Sequence, residues 1–335
     1  MHDESNKDLR FGLIGAGAIA QTHVQAFEKA AGVSLRAVAD CRTEAAQAMA
    51  EAAGCAAFGS VDQMLDEMHL DAAIVCTPPV SHPEICIDLA QRGLHILCEK
   101  PLAVDSTSAA AMLAAANEAG VTFTMASKFR FVEDAAKARS IIASGVIGEP
   151  VLFENIFSCR IDMSKRWNSH PEISGGGVLI DNGAHSVDVA RFFLGELAEV
   201  QVMEGLRIQN LPVEDTVKMF VRSASGVLGS IDLSWSVSKE VPYFVAVYGS
   251  AGTLLVGWGA SKYRRAGDAE WTPIGSGYDK VDAFRRQLEN FAAAVRCEEP
   301  LVVQPEDALA SVHVIEAAYR SLGRGAWEPI HTHAV

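Results

Sequence analysis

The stretch Phe11-Gly12-Leu13-Ile14-Gly15-Ala16-Gly17-Ala18-Ile19-Ala20 decides how the rest of the chain is read. A short apolar run of strand length stops at Gly15, and a helical stretch follows over about residues 18–31. Each small residue meets a physical need. Gly15 permits a tight turn, Gly17 lets the backbone come close to a pyrophosphate, and Ala20 lets the helix pack on a sheet. The helix start adds free N–H groups and the positive end of its dipole. A glycine-rich turn alone is a weak signal, because such turns also arise for steric reasons. Between a strand and a helix it predicts a dinucleotide site at Gly15, Gly17, Ala18 and Ile19.

The second apolar run, residues 33–39, leads into Asp40. An acid about 20 residues beyond the glycines bonds the adenosine ribose hydroxyls and repels a 2′-phosphate, so NAD is the expected cofactor. Arg42 suits a 2′-phosphate and keeps NADP as a second candidate. The plain alternative for Asp40 is a turn residue at a strand end.

Working outward, apolar runs at 72–76, 95–98 and 122–126 alternate with helical patterns at 43–53, 81–92 and 105–119. Buried strands alternating with helices predict an α/β Rossmann domain with a parallel sheet covered on both faces, over residues 1–127. Beyond it the period changes. After a helix near 132–143, Val217, Met219 and Val221 alternate with Thr216, Lys218 and Phe220. A Ser225-Gly226 turn follows, then Ile231, Leu233 and Trp235, then runs at 242–248 and 253–256. Residues 128–335 therefore read as an α+β domain on an antiparallel or mixed sheet, closed by helices near 279–296 and 305–322. One face of that sheet packs and the other is available, which predicts a homo-oligomer. Trp235 and Tyr243 read as sheet residues.

Composition narrows the partner. With 335 residues, two domains are expected. A hydrophobic share of 49% and a charged share of 21% allow a large core. The net charge of −14 repels nucleic acid and anionic membranes, leaving a small molecule as the expected partner. The first residues lack the order of a signal peptide, and no apolar run reaches the ~18 residues of a membrane span. Seven cysteines, an odd number with no CxxC pair, read as reduced thiols. A cytoplasmic location is expected, with no zinc or other metal site.

Two further motifs carry chemistry. Cys98-Glu99-Lys100-Pro101 closes a strand, where open α/β sheets bind ligands. Pro101 keeps Lys100 out of the helical region. The Lys100 ammonium suits a developing alkoxide, and Glu99 can hold or tune it; a solvated loop pair is the alternative. The run from Gly175-Gly176-Gly177 to Asp181, His185 and Asp188 places Asp181 and His185 four apart, on one side of a helix expected to begin near Gly183. A histidine there suits proton transfer from an alcohol, and Asp181 or Asp188 can orient it. A metal set without sulfur or a second histidine and a satisfied core histidine are the competing readings.

Together with Cys76-Thr77-Pro78-Pro79-Val80-Ser81-His82, these pieces resemble the Gfo/Idh/MocA family of glucose–fructose oxidoreductases, inositol dehydrogenases and rhizopine-type oxidoreductases, over nearly the whole chain. The resemblance implies a Rossmann domain followed by an α+β domain with a large, mostly antiparallel open sheet that joins a homodimer or homotetramer. It implies an NAD(P)-dependent dehydrogenase acting on a hydroxyl of a sugar, sugar derivative or inositol-like polyol. Lys100, Asp181 and His185 fall on catalytic positions, with the base role open between Lys100 and His185. Glu99 and Lys100 border the cofactor, and Thr77 and Pro78 approach the nicotinamide ribose, with His82 capping or packing there. Lys128 and Arg130 then face the substrate, joined by Arg160, Arg166 and Trp167 from the polar loop 160–170. Two rival functions are a redox-neutral NAD-dependent glycosidase and a dinucleotide-binding regulator. The joint presence of Lys100, Asp181 and His185 speaks against the regulator.

Overall fold

The computed structural model describes residues 8–331, which divide into two compact units. The first holds residues up to Ala103, Thr107–Lys128 and Lys280–Ala308. Its strands and helices alternate as β1 (Leu9–Ile14), α1 (Ala18–Phe27), β2 (Val33–Ala39), α2 (Thr43–Ala53), β3 (Ala56–Phe58), α3 (Val61–Glu67), β4 (Ala72–Val75), α4 (His82–Gln91), β5 (His95–Glu99), α5 (Ser106–Ala119) and β6 (Phe123–Ala126). The sheet order is β3-β2-β1-β4-β5-β6, parallel throughout. This is the doubly wound dinucleotide-binding order. Its ligand crevice opens at the carboxyl ends of the strands where the order reverses, here β1 and β4. Leu13, Val38, Ile74 and Leu97 are wholly buried, as a sheet covered on both faces requires. Periodicity did not reveal β3 or α3. Ala56–Phe58 is three residues long and has no β-branched side chain. Helix α1 also stops at Phe27, short of the expected 31, before Gly32 turns the chain at φ +70°.

The second unit holds Val104–Ser106, Phe129–Asp279 and the chain from Leu309. It carries α6 (Glu133–Ala143), β7 (Pro150–Ser158), α7 (Pro171–Ser174), α8 (Val178–Leu194), β8 (Leu197–Glu204), β9 (Thr216–Ser223), β10 (Leu228–Ser234), β11 (Tyr243–Gly249), β12 (Gly252–Gly257), β13 (Ser261–Arg265) and β14 (Thr272–Gly275). The remaining elements are α9 (Lys280–Val295), α10 (Pro305–Arg324) and β15 (Glu328–Pro329). Nine strands run β14-β13-β12-β11-β7-β10-β9-β8-β15, antiparallel except for β7 with β10. Val217, Met219 and Val221 face the packed side with Ile231 and Leu233, as the period-two pattern predicts. Helix α8 covers β7, β9 and β10 on that side.

A single division at residues 127 and 128 does not describe where α9 packs. Its Leu288, Phe291 and Ala292 join Phe11, Leu13 and Val24 in one buried cluster of the first unit. The rings of Phe11 and Phe291 lie 5.9 Å apart. The sequence shows the apolar stripe of α9 but not which sheet it covers.

Candidate active site

The first unit carries a glycine turn, an acid and a lysine among the expected residues. Gly15 sits at φ +94°, and a Cβ there would meet the backbone of Cys76 at 2.9 Å, so the end of β4 demands glycine. Gly17 is different. A Cβ there would meet nothing within 4 Å, so protein packing does not demand glycine. The open approach fits a pyrophosphate laid against the backbone. Gly17 precedes α1 without a side-chain cap, and the first turn holds no acid. Ala18 is exposed there, Ile19 is half-buried and Ala20 is buried. Asp40 reaches back to this turn. Its Oδ2 accepts the N–H of Ala16 at 2.7 Å and its Oδ1 that of Arg42 at 2.8 Å. The Arg42 guanidinium folds onto the same carboxylate at 3.1 and 3.2 Å. Burial pushes Asp40 up, but hydrogen bonds from Arg42 and the two backbone N–H groups outweigh it and hold the carboxyl below its usual range.

Lys100 directly follows β5 and is half-buried, joined to Pro101 by a cis peptide bond. Two buried histidines brace its neighbours. His23 Nε2 lies 2.9 Å from Glu99 Oε1, and the Lys100 N–H donates to Glu99 Oε2 at 3.2 Å. Burial raises Glu99, while the His23 hydrogen bond and the positive charges of Lys100 and Lys128 bring it below the ordinary range. His82 is wholly buried. Its Nδ1 lies 3.1 Å from the carbonyl oxygens of Pro101 and of Leu102, and its Nε2 lies 2.8 Å from that of Thr77. Burial lowers its pKa. The ring thus lies between the half-buried Thr77-Pro78 turn and the lysine loop, with one nitrogen donating, instead of presenting a nitrogen to a ligand. Lys128 Nζ lies 5.7 Å over the ring of Phe284.

The second unit by itself carries Asp181 and His185. Helix α8 begins at Val178, five residues before the expected start near Gly183. Glu214, distant in sequence, sets this start. Its Oε1 accepts the N–H groups of Gly177 (2.9 Å) and Leu179 (3.1 Å) and the hydroxyl of Tyr319 (2.8 Å). A carboxylate at a helix start satisfies orphan N–H groups and opposes the dipole. A Cβ on Gly176 would meet Tyr319 Oη at 1.9 Å, so this glycine makes room for packing. Asp181 therefore sits in the first turn of α8 with His185 one turn on, both half-buried and on one side.

His185 meets a wall of aromatic rings. Phe129 stands edge-on at 5.1 Å and Phe157 at 6.3 Å. Phe244, Tyr278 and Trp258 continue the wall, Trp258 lying 4.8 Å from Phe244 and 5.7 Å from Tyr278. Trp258 is 41% exposed. The Tyr278 N–H donates to the Trp258 carbonyl at 3.0 Å, and Asp134 anchors the adjoining loop through the Gly277 N–H at 2.7 Å. Sequence reading missed this wall, because its rings come from strands and loops far apart. Arg130, expected at the substrate, is buried instead. It pairs with Asp188 at 2.7 Å and lies over Phe192 at 5.6 Å, which also accounts for Asp188. Arg160, Arg166 and Trp167 are exposed on their loop. Gln209 holds that loop by accepting the Met163 N–H and donating to Ile161 O and Trp235 O. Among the described residues, no three His, Cys, Asp or Glu side chains gather as a metal ion would need, and no helix is long and apolar enough to cross a membrane.

Comparison with known proteins agrees with this fold. Residues 9–127 match the model of an oxidoreductase family with an NAD-binding Rossmann fold, and residues 135–255 match that of the GFO/IDH/MocA C-terminal domain. Inositol 2-dehydrogenase of Rhizobium meliloti is 28% identical, over 94% of this chain and 97% of the relative. D-xylose 1-dehydrogenase (NADP(+)) 2 of Haloferax volcanii is 29% identical, over 95% of this chain and 98% of the relative. The fold also matches levoglucosan dehydrogenase in complex with NADH and levoglucosan, with a TM-score of 0.90 at 21% identity, over 97% of this chain and all of that one.

Proposed function

The chain belongs to the GFO/IDH/MocA oxidoreductase family, and we propose that it transfers a hydride between a nicotinamide and a hydroxyl of a sugar, sugar derivative or cyclic polyol. The observation that carries this reading is the pairing of Asp181 and His185 on one side of α8, beside an aromatic wall, in a chain whose Rossmann strand β5 leads directly into Lys100. NAD, when bound, supplies the acceptor for the hydride. The open approach at Gly17 and the acid at Asp40 support NAD in this role.

In oxidation, His185 accepts the hydroxyl proton, Lys100 holds the reacting oxygen and offsets its developing charge, and Asp181 orients His185 or a neighbouring hydroxyl. Thr77 and Pro78 border the nicotinamide ribose. Trp258 offers a flat apolar surface to one face of a sugar ring, with polar groups fixing the hydroxyls. Lys128, Arg160, Arg166 and Trp167 serve as further substrate contacts. The relatives named for inositol, xylose and levoglucosan support a cyclic, hydroxylated substrate.

The protein works as a homo-oligomer through the open face of the nine-stranded sheet. On that face Glu154 accepts the hydroxyls of Tyr243 and Tyr248, and Asp232 binds Lys218 and Lys239, beside exposed Leu152 and Leu228. Internally satisfied charges with apolar neighbours suit a covered surface. A cytoplasmic location agrees with seven free cysteines, three of them buried.

The test follows NADH and NADPH absorbance over a panel of aldoses, cyclic polyols and sugar acids, with wild type and Lys100→Ala. Turnover in wild type that collapses in the variant, with NAD binding intact, is expected. Activity undiminished in the variant would move the active site elsewhere.

A further inference from the structure

His23 has no place in the chemistry above, yet it is one of the most deeply buried polar side chains of the first unit. It lies on α1, the helix that opens at Gly17. One ring nitrogen, Nε2, meets Glu99 Oε1 at 2.9 Å, and the other, Nδ1, has no hydrogen-bond partner. The edge of the ring packs on Phe284 at 4.7 Å. An apolar ring would fill this space without leaving a buried nitrogen unsatisfied, so the hydrogen bond to Glu99 is what histidine adds. The other oxygen of Glu99 accepts the N–H of Lys100 at 3.2 Å. One buried carboxylate thus joins the dinucleotide helix to the residue that closes the lysine strand. On the far side of Lys100, the buried His82 ring packs between the carbonyls of Pro101 and Leu102 and that of Thr77.

We propose that His23 is a positioning residue for hydride transfer: through Glu99 it fixes the direction in which Lys100 leaves β5, while His82 braces the same segment from its other end. The proposal rests on the reading that Lys100 holds the reacting oxygen. His23 exchanges no proton with the substrate. Its effect passes through Lys100 alone, since sub-ångström placement of a catalytic group governs rate more than affinity.

The test compares His23→Phe, His23→Gln, Lys100→Ala and the double variant His23→Phe/Lys100→Ala, using NAD and the best substrate of the panel. Steady-state constants and the thermal midpoint are measured for each. His23→Phe is expected to lower kcat at least about tenfold, with KM for NAD within about twofold. His23→Gln, whose amide nitrogen can give the same hydrogen bond, is expected to recover most of that loss. In the Lys100→Ala background, His23→Phe is expected to change the residual rate no further. If His23→Phe fails to fold, Glu99→Gln carries the test and must show the same split of kcat from KM. An unchanged kcat in His23→Phe beside a collapse in Lys100→Ala overturns the proposal alone, as does a full additional loss in the double variant. An unchanged kcat in Lys100→Ala overturns the reading beneath it.

Discussion

A Cβ placed on Gly177 would stand 2.1 Å from the carbonyl oxygen of Glu214. The same two residues share a hydrogen bond from the Gly177 N–H to the Glu214 carboxylate. Two backbones are in contact at the start of the helix that carries Asp181 and His185, and neither can yield without moving that start. Gly177→Ala should therefore destabilise the fold by about 1–3 kcal/mol or more, the cost of forced overpacking, read as a lower denaturant midpoint. Gly17→Ala is the opposite case. With nothing within 4 Å of the added methyl, stability should hold while affinity for NAD falls at least about tenfold in a titration.

Asp40 binds the Ala16 N–H and the Arg42 guanidinium together, so removing its carboxylate acts twice. In the proposed cofactor site it would delete the acceptor for the ribose hydroxyls and release Arg42 toward a 2′-phosphate. Asp40→Ser should shift the ratio of kcat/KM from NAD toward NADP by roughly 10- to 100-fold, the size of a lost charge-assisted hydrogen bond. A ratio that does not move would take Asp40 out of cofactor choice.

The Arg130–Asp188 pair is almost inaccessible to solvent. Asp188→Asn removes the negative charge of this buried pair and is expected to cost about 3–5 kcal/mol. Arg130→Met combined with Asp188→Leu should recover most of that loss in urea unfolding.

Glu99 links stability to pH. Its folded-state pKa lies below the unfolded value. The stabilisation it gives is therefore complete at neutral pH and is lost as pH falls through the ordinary carboxylate range toward the folded value. Urea midpoints of wild type and Glu99→Gln should differ most near pH 7 and converge as the solution is acidified. A constant gap would show that Glu99 titrates alike in both states.

Trp258 ends the aromatic wall with its ring partly in solvent. Trp258→Ala should raise KM for cyclic substrates about tenfold or more while leaving KM for NAD unchanged, since one lost apolar contact of this size is worth about 1–3 kcal/mol.

The parts of the molecule that were legible in the sequence are those whose chemistry is local. Gly15, Gly17 and Asp40 lie within or next to one strand–helix–strand unit, and Lys100 directly follows a strand whose apolar run is plain. What escaped reading depends on residues brought from afar. Glu214 moves the start of α8 from Gly183 to Val178. Asp188 claims Arg130, which the family resemblance placed at the substrate. Trp258 and Tyr278 stand with Phe129, Phe157 and Phe244 in one group of rings beside His185, drawn from segments that no single periodic pattern links. His23 carried no signal at all, because a lone histidine inside an amphipathic helix resembles any other polar residue.

The return of α9 to the first sheet has a consequence for how the chain is made. A ribosome finishes the last Rossmann strand at Ala126 long before it reaches Lys280, so Phe11 emerges without the Phe291 that will cover it. At ~5–20 residues per second the wait is on the order of ten to thirty seconds. Through that interval the nascent first half exposes a strip of apolar surface, which makes it a natural client for chaperones and sets the earliest moment at which its core can close.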